Sequence, residues 1–292
     1  MPRQLHAAVE TGGTKLLCRV ADGNGRIVAE GRWSTGRPDE ACDAIARCMD
    51  EAMAGGDRLR AIGIAAFGPL VVDPASPDYG RVLATPKPGW SGSNLRRALA
   101  DRFAVPVHVD TDVNLAAIAE QALGAGRGLR SVAYVTVGTG IGGGLAIDGR
   151  SLKGALHPEI GHIRLVRRAH DDAPGACPFH SDCAEGLIAG PALRQRLGGD
   201  ADFVRSPETM ALVADYLGQL CAVLVLAWTP QRIVIGGGIG SAPSLLAPAH
   251  AAMLASLGGY GVGEAARAPD FLAAAQLPDA GLEGAMLIAR QI

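Results

Sequence analysis

The feature that most constrains the fold is a glycine-rich stretch at residues 136–144, TVGTGIGGG, which lies between two apolar runs. Five of the seven residues from 138 to 144 are glycine, which weakens a strand because it has no side chain to pack. Such a stretch is expected where a ligand or another backbone comes close. Two more glycine turns, ETGGTK at 10–15 and IGGGIG at 235–240, also follow strand-like runs. Backbone N–H groups in turns of this kind can bind phosphate oxygens.

None of the three turns is a standard nucleotide motif. The first two lack the GxxxxGK[ST] spacing of a P-loop, and the third lacks the spacing and following acidic residue of a dinucleotide fingerprint. A tight hairpin alone would also explain the glycines of the first turn. The phosphate interpretation therefore depends on the three turns occurring together. Hydroxyl and ammonium groups would add donors to them, at Thr11, Thr14, Lys15, Thr136 and Thr139.

The stretch TDVN at 111–114 comes after the predicted strand 105–109 and has one acidic side chain, Asp112, at the start of the predicted helix 112–123. Free N–H groups and the helix dipole favour a carboxylate at this position, so a simple N-cap is one interpretation. The other is catalytic, because one carboxylate among several phosphate-binding turns is typical of a phosphoryl-transfer enzyme.

Composition excludes several classes of protein. The chain has 292 residues and a formal charge of −2, with 27 basic and 29 acidic residues and no basic segment. Nucleic acid and anionic membranes are therefore not expected as partners. The N-terminus lacks the apolar run of a signal peptide, and no stretch is expected to span a membrane. We predict a cytoplasmic protein whose six cysteines do not form a disulfide framework.

The order of predicted elements indicates an α/β protein with mixed sheets. Strand, hairpin and helix patterns occur in a first half and begin again after residue 130, which is a weak internal echo rather than a repeat. Two similar lobes facing a common cleft would bring the glycine turns opposite one another. The predicted strands are 5–10, 15–20, 27–31, 61–66, 105–109, 131–137, 144–147, 232–235 and 271–275. The other predicted helices are 39–53, 94–103 with Ser93 as N-cap, 207–228, 243–257 and 281–290.

A cluster of metal-binding residue types lies in the irregular region 152–190. The sequence CPFHSDC supplies Cys177, His180 and Cys183 within one loop. Thiolate and imidazole are the ligands of tetrahedral zinc. Binding of such a metal would supply the folding free energy that a polar loop with few apolar residues lacks. His162 is the preferred fourth ligand, His170 the second choice, and His157 also lies upstream. Two buried thiols and a surface histidine are the alternative without a metal.

These motifs together resemble the sugar-kinase branch of the ROK family, over essentially the whole chain. The resemblance is carried by ETGGTK at 10–15, FGP at 67–69, TPKPGW at 85–90, DTDVN at 110–114, VGTGIGGG at 137–144, HPEIGH at 157–162, the cysteine loop with AEG after it, and IGGGIG at 235–240. It implies two actin-like (ribonuclease H-like) lobes with a cleft between them and a zinc-binding loop insertion. The first lobe would be 1–115, completed by the helix 280–292, and the second 116–279, with the zinc loop at 157–186.

The resemblance also implies roles for individual residues. Asp112 would be the general base, Glu10 would help to hold Mg²⁺, and Gly237 and Gly238 would border the adenosine of ATP. Phosphates would be bound by Gly12, Gly13, Thr14, Lys15, Thr139 and Gly140. The sugar would be bound by Gly68, Pro69, Thr85, Asn114, Glu159, His162 and Glu185. A structural zinc ion would be held by His162, Cys177, His180 and Cys183.

The implied reaction is ATP-dependent phosphorylation of D-fructose to fructose 6-phosphate. Family glucokinases usually carry CxCGxxGC, whereas this chain has His180 inside the loop, which favours the fructokinase subgroup. Thr111 replaces an asparagine common before the catalytic aspartate, so one sugar contact stays open. The alternatives are a broader kinase of mannose, glucose or N-acetylmannosamine, or a non-catalytic sugar sensor. A homodimer is expected from the family, and a DNA-binding domain is not.

Overall fold

A computed structural model describes residues 2–199 and 202–292 and contains two five-stranded sheets. The chain divides into two compact units. The first consists of Met1–Ala119, Ser151–His157 and Asp279–Ile292, and the second of Glu120–Arg150 and Pro158–Pro278. The expectation of an α/β fold with mixed sheets is confirmed.

The strands are β1 (Gln4–Thr11), β2 (Lys15–Asp22), β3 (Ile27–Ser34), β4 (Arg58–Ala66), β5 (Val107–Thr111), β6 (Ser131–Val137), β7 (Ile141–Ile147), β8 (Arg150–Ser151), β9 (Arg232–Gly236) and β10 (Leu272–Ala274). The helices are α1 (Pro38–Met53), α2 (Leu95–Phe103), α3 (Asp112–Ala122), α4 (Ala184–Ile188), α5 (Gly190–Arg196), α6 (Pro207–Trp228), α7 (Leu246–Leu257) and α8 (Ala280–Ala289).

The two sheets share one strand arrangement, although their sequences show only a weak echo. In the first, the order is β3-β2-β1-β4-β5, with β1 antiparallel to β2 and parallel to β4, and β4 parallel to β5. In the second, β6 is antiparallel to β7 and parallel to β9, and β9 is parallel to β10. Each sheet therefore has a central strand whose carboxyl end leads into a glycine turn.

The core of each unit follows from its apolar strands. β1 is buried along most of its length, and α8 covers it so closely that a Cβ on Gly63 of neighbouring β4 would lie 2.0 Å from the carbonyl oxygen of Ala285. In the second unit, the long apolar helix α6 packs against α7 and its buried face joins the core. Each unit therefore has its own apolar core. Buried polar side chains such as Glu10 and Asp110 lie at the carboxyl ends of strands β1 and β5.

Several sequence-based details differ from the structure. β5 covers Val107–Thr111 rather than 105–109, and β7 begins at Ile141 rather than at 144. α2 begins after Asn94, whose Oδ1 accepts from the N–H of Arg97, so the prediction of Ser93 as N-cap was wrong; Ser93 instead donates to the carbonyl of Trp90. α7 begins at Leu246 rather than at 243. α6 is long and apolar enough to span a membrane, contrary to expectation, but more than half of its most apolar stretch is buried inside the protein.

Candidate active site and metal cluster

Three segments that are distant in sequence reach one edge of the first sheet. Thr11 ends β1, Ala66 ends β4 and Thr111 ends β5, and the register places these residues side by side. Because the three strands are parallel, the residues after them leave at the same carboxyl edge, where ligands bind in open α/β sheets. The turn after β1, the Gly68–Pro69 pair after β4 and Asp112 after β5 all lie at this edge.

Asp112 is the first residue of α3 and is partly exposed. Its Oδ1 accepts a hydrogen bond from the N–H of Val113 at 2.9 Å. The Thr111 hydroxyl, one residue earlier, accepts from the N–H of Asn114 at 3.1 Å and so caps the helix. Capping by Thr111 means that the N-cap role alone does not account for Asp112.

Asp110 is a buried carboxylate that the sequence analysis did not select. One oxygen accepts from the N–H of Thr111 at 2.8 Å and the side-chain amide of Asn114 at 2.7 Å. The other accepts from the Ser151 hydroxyl at 2.7 Å and lies 2.9 Å from Nζ of Lys153. A buried carboxylate needs such partners to be tolerated. Asp110 thereby fixes the start of α3, and Asn114, a predicted sugar contact, is a fully buried part of this network.

Glu10, the predicted magnesium ligand, lies at the end of β1 beside the start of α8. Its Oε2 accepts from the N–H of Leu282 at 2.9 Å, and its Oε1 lies 3.3 Å from Nζ of Lys15. The same ammonium lies 2.8 Å from Oδ1 of Asp279. Burial lowers the pKa of Lys15, but the hydrogen bond to Asp279 and the two negative charges raise it overall. The Lys15 ammonium thus lies between two carboxylates, and carboxylate oxygens are ligands that Mg²⁺ accepts.

Lys87 lies at the same turn and was also not selected from the sequence. Its ammonium donates to the carbonyl oxygens of Gly12 and Gly13, both at 2.7 Å, and lies 4.0 Å from the ring centroid of Phe67. Burial lowers its pKa to about 8, against the opposing effect of the negative charge of Asp112.

The two other glycine turns meet at the carboxyl edge of the second sheet. The N–H of Ile239 donates to the carbonyl of Val137 at 2.9 Å. Gly237 has a φ of 82°, and a Cβ there would lie 2.4 Å from the Val137 oxygen, so this approach requires glycine. Gly238 has open space where a Cβ would be, which leaves its backbone accessible to a flat ligand.

Glu185 lies against the turn that contains Thr139 and Gly140. Its Oε2 accepts from the N–H of Ile141 at 3.0 Å, and a Cβ on Gly140 would lie 2.7 Å from that oxygen. Glu185 therefore holds the glycine turn in position, and its predicted contact with sugar stays a prediction.

Four residues of the irregular region form a cluster of metal-ligating atoms: His162, Cys177, His180 and Cys183. Their ligand atoms all lie within 4.8 Å of one another. Sγ of Cys177 lies 3.7 Å from Nδ1 of His162 and 3.8 Å from Nδ1 of His180. Bonds of about 2.0–2.3 Å give tetrahedral ligand separations of roughly 3.3–3.8 Å, so the cluster is compatible with zinc. Burial raises the pKa of Cys183 to about 11.

The other upstream histidines have different positions. Nε2 of His157 accepts from the N–H of Leu70 at 3.1 Å, and His157 belongs to the first unit. His170, the second choice as a fourth ligand, lies outside the four-residue cluster. The cluster includes His162 because the 3-10 turn Ile160–His162 packs on β7, where a Cβ on Gly161 would lie 2.1 Å from the carbonyl of Ile141.

The remaining predicted sugar contacts belong to both units. Glu159 is exposed, and Gly68 and Pro69 are joined by a cis peptide bond after β4. The backbone N–H of Thr85 donates to the Ser91 hydroxyl at 3.1 Å, and that hydroxyl donates to the Thr85 carbonyl. Their role in binding sugar stays a prediction.

Asp171 anchors the loop 157–186 to helices α5 and α6 of the second unit. Its carboxylate accepts from the Arg196 guanidinium at 2.5 and 2.8 Å and from the Tyr216 hydroxyl at 2.7 Å. Burial alone would raise its pKa, but the Arg196 and Tyr216 hydrogen bonds lower it to about 2. The stabilisation is therefore present above about pH 4 and is lost as the pH falls toward 2, at a scale of about 2–3 kcal/mol.

We expect Asp171→Asn to lower the free energy of unfolding by about 3 kcal/mol at pH 7, because the Arg196 charge is left buried without its partner. Urea unfolding followed by circular dichroism measures the change. The variant should also lose stability less steeply than the wild type below pH 4. Asp148→Asn, which breaks an exposed ion pair with Arg130, is the control and should change stability by less than about 1 kcal/mol. Equal effects of the two substitutions would contradict the anchoring role.

Sequence comparison decides the family. The ROK family profile matches residues 6–292. The chain belongs to the ROK family. It is 38% identical over 253 residues to a fructokinase of Zymomonas mobilis, covering 84% of this chain and 83% of that protein. It is 34% identical to a fructokinase of Pediococcus pentosaceus, covering 98% of both chains.

The ROK assignment extends to known three-dimensional structures. A ROK family glucokinase from Streptomyces griseus, solved in complex with glucose and AMPPNP, matches with a TM-score of 0.76 and 29% identity. The match covers 99% of this chain and 100% of that chain. The predicted ROK resemblance and the sugar-kinase fold are therefore confirmed.

Proposed function

We propose that this ROK protein is an ATP-dependent fructokinase, which transfers the γ-phosphoryl group of ATP to the 6-hydroxyl of D-fructose. The observation that carries the proposal is the position of Asp112 at the carboxyl edge of the first sheet, together with the glycine turn and Lys15. Relatives that are fructokinases also match 84% and 98% of this chain.

The proposed chemistry needs one base and a site that stabilises charge. The oxygen of the sugar hydroxyl attacks the γ-phosphorus while the bond from that phosphorus to the bridging oxygen of ADP breaks. Asp112 accepts the proton of the hydroxyl. Backbone N–H groups at Gly13 and Thr14, with the ammonium of Lys15, stabilise the phosphate oxygens. Gly12 contributes by closing the turn, because its N–H donates to the carbonyl of Lys15 at 2.8 Å.

In the second unit, the proposed nucleotide contacts are the Thr139–Gly140 turn for phosphates and Gly237–Gly238 for adenosine. The open backbone at Gly238 supports the second assignment, because a nucleoside can lie flat where no side chain intervenes. Glu159, His162 and Glu185 are proposed to hydrogen-bond sugar hydroxyls, with Gly68, Pro69, Thr85 and Asn114 as further contacts. The sequence-based lobes, 1–115 with 280–292 and 116–279, are proposed as the functional division.

Two metal ions belong to the proposal. Mg²⁺, which neutralises phosphate charge when bound, would be held by Glu10 directly or through water. The carboxylates of Glu10 and Asp279, which both lie close to the Lys15 ammonium, provide the negative charge and oxygen ligands for this role. Zinc would be held by His162, Cys177, His180 and Cys183 in a closed structural site, since four protein ligands leave no open position. We also propose a cytoplasmic homodimer that does not bind nucleic acid or membranes.

The substrate is tested by ADP release from Mg·ATP with fructose, mannose, glucose and N-acetylmannosamine. We expect the highest kcat/KM with fructose. A higher value with another hexose would retain the kinase and change the substrate to a broader or different sugar. Sugar binding measured by calorimetry, without turnover of any sugar, would favour the non-catalytic sensor.

A further inference from the structure

Lys87 forms two hydrogen bonds with the first glycine turn, residues 10–15. The ammonium donates to two successive carbonyl oxygens, those of Gly12 and Gly13, at 2.7 Å each. In a trans peptide, the carbonyl of one residue and the N–H of the next point in opposite directions within one plane. When both carbonyls point toward Lys87, the N–H groups of Gly13 and Thr14 point away from it.

We propose that Lys87 is a positioning residue of the kinase reaction, which orients the Gly13 and Thr14 amides toward the phosphates of ATP. This inference rests on the proposed function. Two adjacent N–H groups that face one direction form an anion-binding concavity. Without the lysine, a turn containing two glycines has many other conformations available, since neither residue restricts φ.

The segment that carries Lys87 has no helix or strand, yet its neighbours fix it. The ring of Trp90 is buried and packs edge-on to Phe67 with centroids 5.0 Å apart, and its Nε1 donates to the carbonyl of Gly36 at 2.9 Å. The face of Phe67 lies under the Lys87 ammonium and adds a cation–π interaction. The lysine therefore has a fixed position rather than a free surface one.

Composition supports a specific use for lysine here. The chain has 24 arginines but only three lysines, Lys15, Lys87 and Lys153. All three belong to the first unit, where Lys15 lies between Glu10 and Asp279 and Lys153 contacts Asp110. A lysine ammonium is a compact point charge with three donors, whereas the guanidinium of arginine is a wide planar fork. The compact ammonium can contact the carbonyls of Gly12 and Gly13 and the ring of Phe67 at the same time.

Lys87→Met tests the proposal, because methionine keeps most of the side-chain volume but removes the charge and the donors. We expect kcat to fall by about 10²-fold, with little change in the KM for fructose, because misplaced phosphate donors act on the transition state. Lys87→Arg, which keeps the charge, should recover part of the activity. The control is Arg102→Met, which removes another cation beside a ring, 5.6 Å from Phe103, and should leave kcat unchanged.

A second readout does not depend on turnover. In protein labelled with [¹³Cε]lysine, three Cε signals are expected, and the Lys87→Arg variant identifies the one from Lys87. Mg·ADP should shift that signal, because the Lys87 ammonium holds the turn that binds phosphate. An unchanged Lys87 signal on nucleotide binding, or a folded Lys87→Met variant with wild-type kcat, would overturn the inference. A nucleotide-dependent shift in a wild-type protein that phosphorylates no sugar would instead support the turn's role and reject the kinase proposal.

Discussion

Asp112→Ala is expected to reduce kcat with fructose by about 10²-fold or more, because it removes the proposed acceptor of the hydroxyl proton. Binding of fructose and of Mg·ATP should change much less, since Asp110 and Thr111 hold the start of α3 without help from the Asp112 side chain. Steady-state kinetics and calorimetry measure the two quantities separately. A loss of kcat with retained binding is the signature of a residue that acts in the transition state.

Two further substitutions make this result specific. Asp101→Asn removes an exposed carboxyl group from α2 and should leave kcat unchanged. Asp110→Asn should instead lower stability, because the ammonium of Lys153 loses its buried partner. If folded Asp112→Ala protein turns over fructose at a near-normal rate, Asp112 is not the base.

The second large effect is expected at the metal cluster. Cys183→Ser should abolish zinc binding, because a serine hydroxyl is a poor substitute for a thiolate ligand. The Sγ of Cys183 also accepts from the N–H of Gly186 at the start of α4, and serine can still cap a helix. The substitution therefore removes the metal while retaining a side-chain cap. Metal analysis of the purified protein should fall from about one zinc per chain to none.

Loss of the metal should also weaken nucleotide binding. Glu185 lies two residues after Cys183 and holds the N–H of Ile141 at the glycine turn, so movement of the loop displaces that turn. We expect a higher KM for ATP and a lower Tm in Cys183→Ser, with each 1 kcal/mol of lost stability lowering Tm by roughly 2–4 °C. Cys42→Ser, at a half-buried thiol outside the cluster, is the control. A wild-type protein purified without zinc, or zinc retained by Cys183→Ser, would refute the metal site.

The sequence was sufficient for features that depend on local pattern. The glycine turns after β1 and β6, the acidic residue at the start of α3 and the ligand types around His180 were all visible, and the ROK resemblance that they support is confirmed. The pattern also indicated that a second α/β unit begins after residue 130. Its strand directions could not be derived from the weak echo, because pairing depends on contacts between distant strands.

The parts that sequence reasoning missed depend on such distant contacts. Lys15 and Asp279 are 264 residues apart in sequence, and no local pattern links them. The motif TPKPGW contains Lys87 but gives no sign of its role, because its partners are backbone carbonyls, which every residue has. Asp110 was overlooked beside Asp112, although the spacing in DTDVN places one carboxylate in the last strand positions and the other in the helix. Ser93 and Asn94 are both good caps, and only the structure distinguishes them.

Pro86 and Pro88 flank Lys87, and this has a consequence for how an irregular segment can hold a charge. Each pyrrolidine ring restricts one backbone dihedral in the unfolded chain as well as in the folded one. The conformational entropy lost when the segment orders is therefore smaller than for a chain of ordinary residues. The contacts of this segment with Phe67 and the first glycine turn therefore have less disorder to overcome than they would without the two prolines. In this protein a stretch without helix or strand can thus keep a charged group in place with few tertiary contacts.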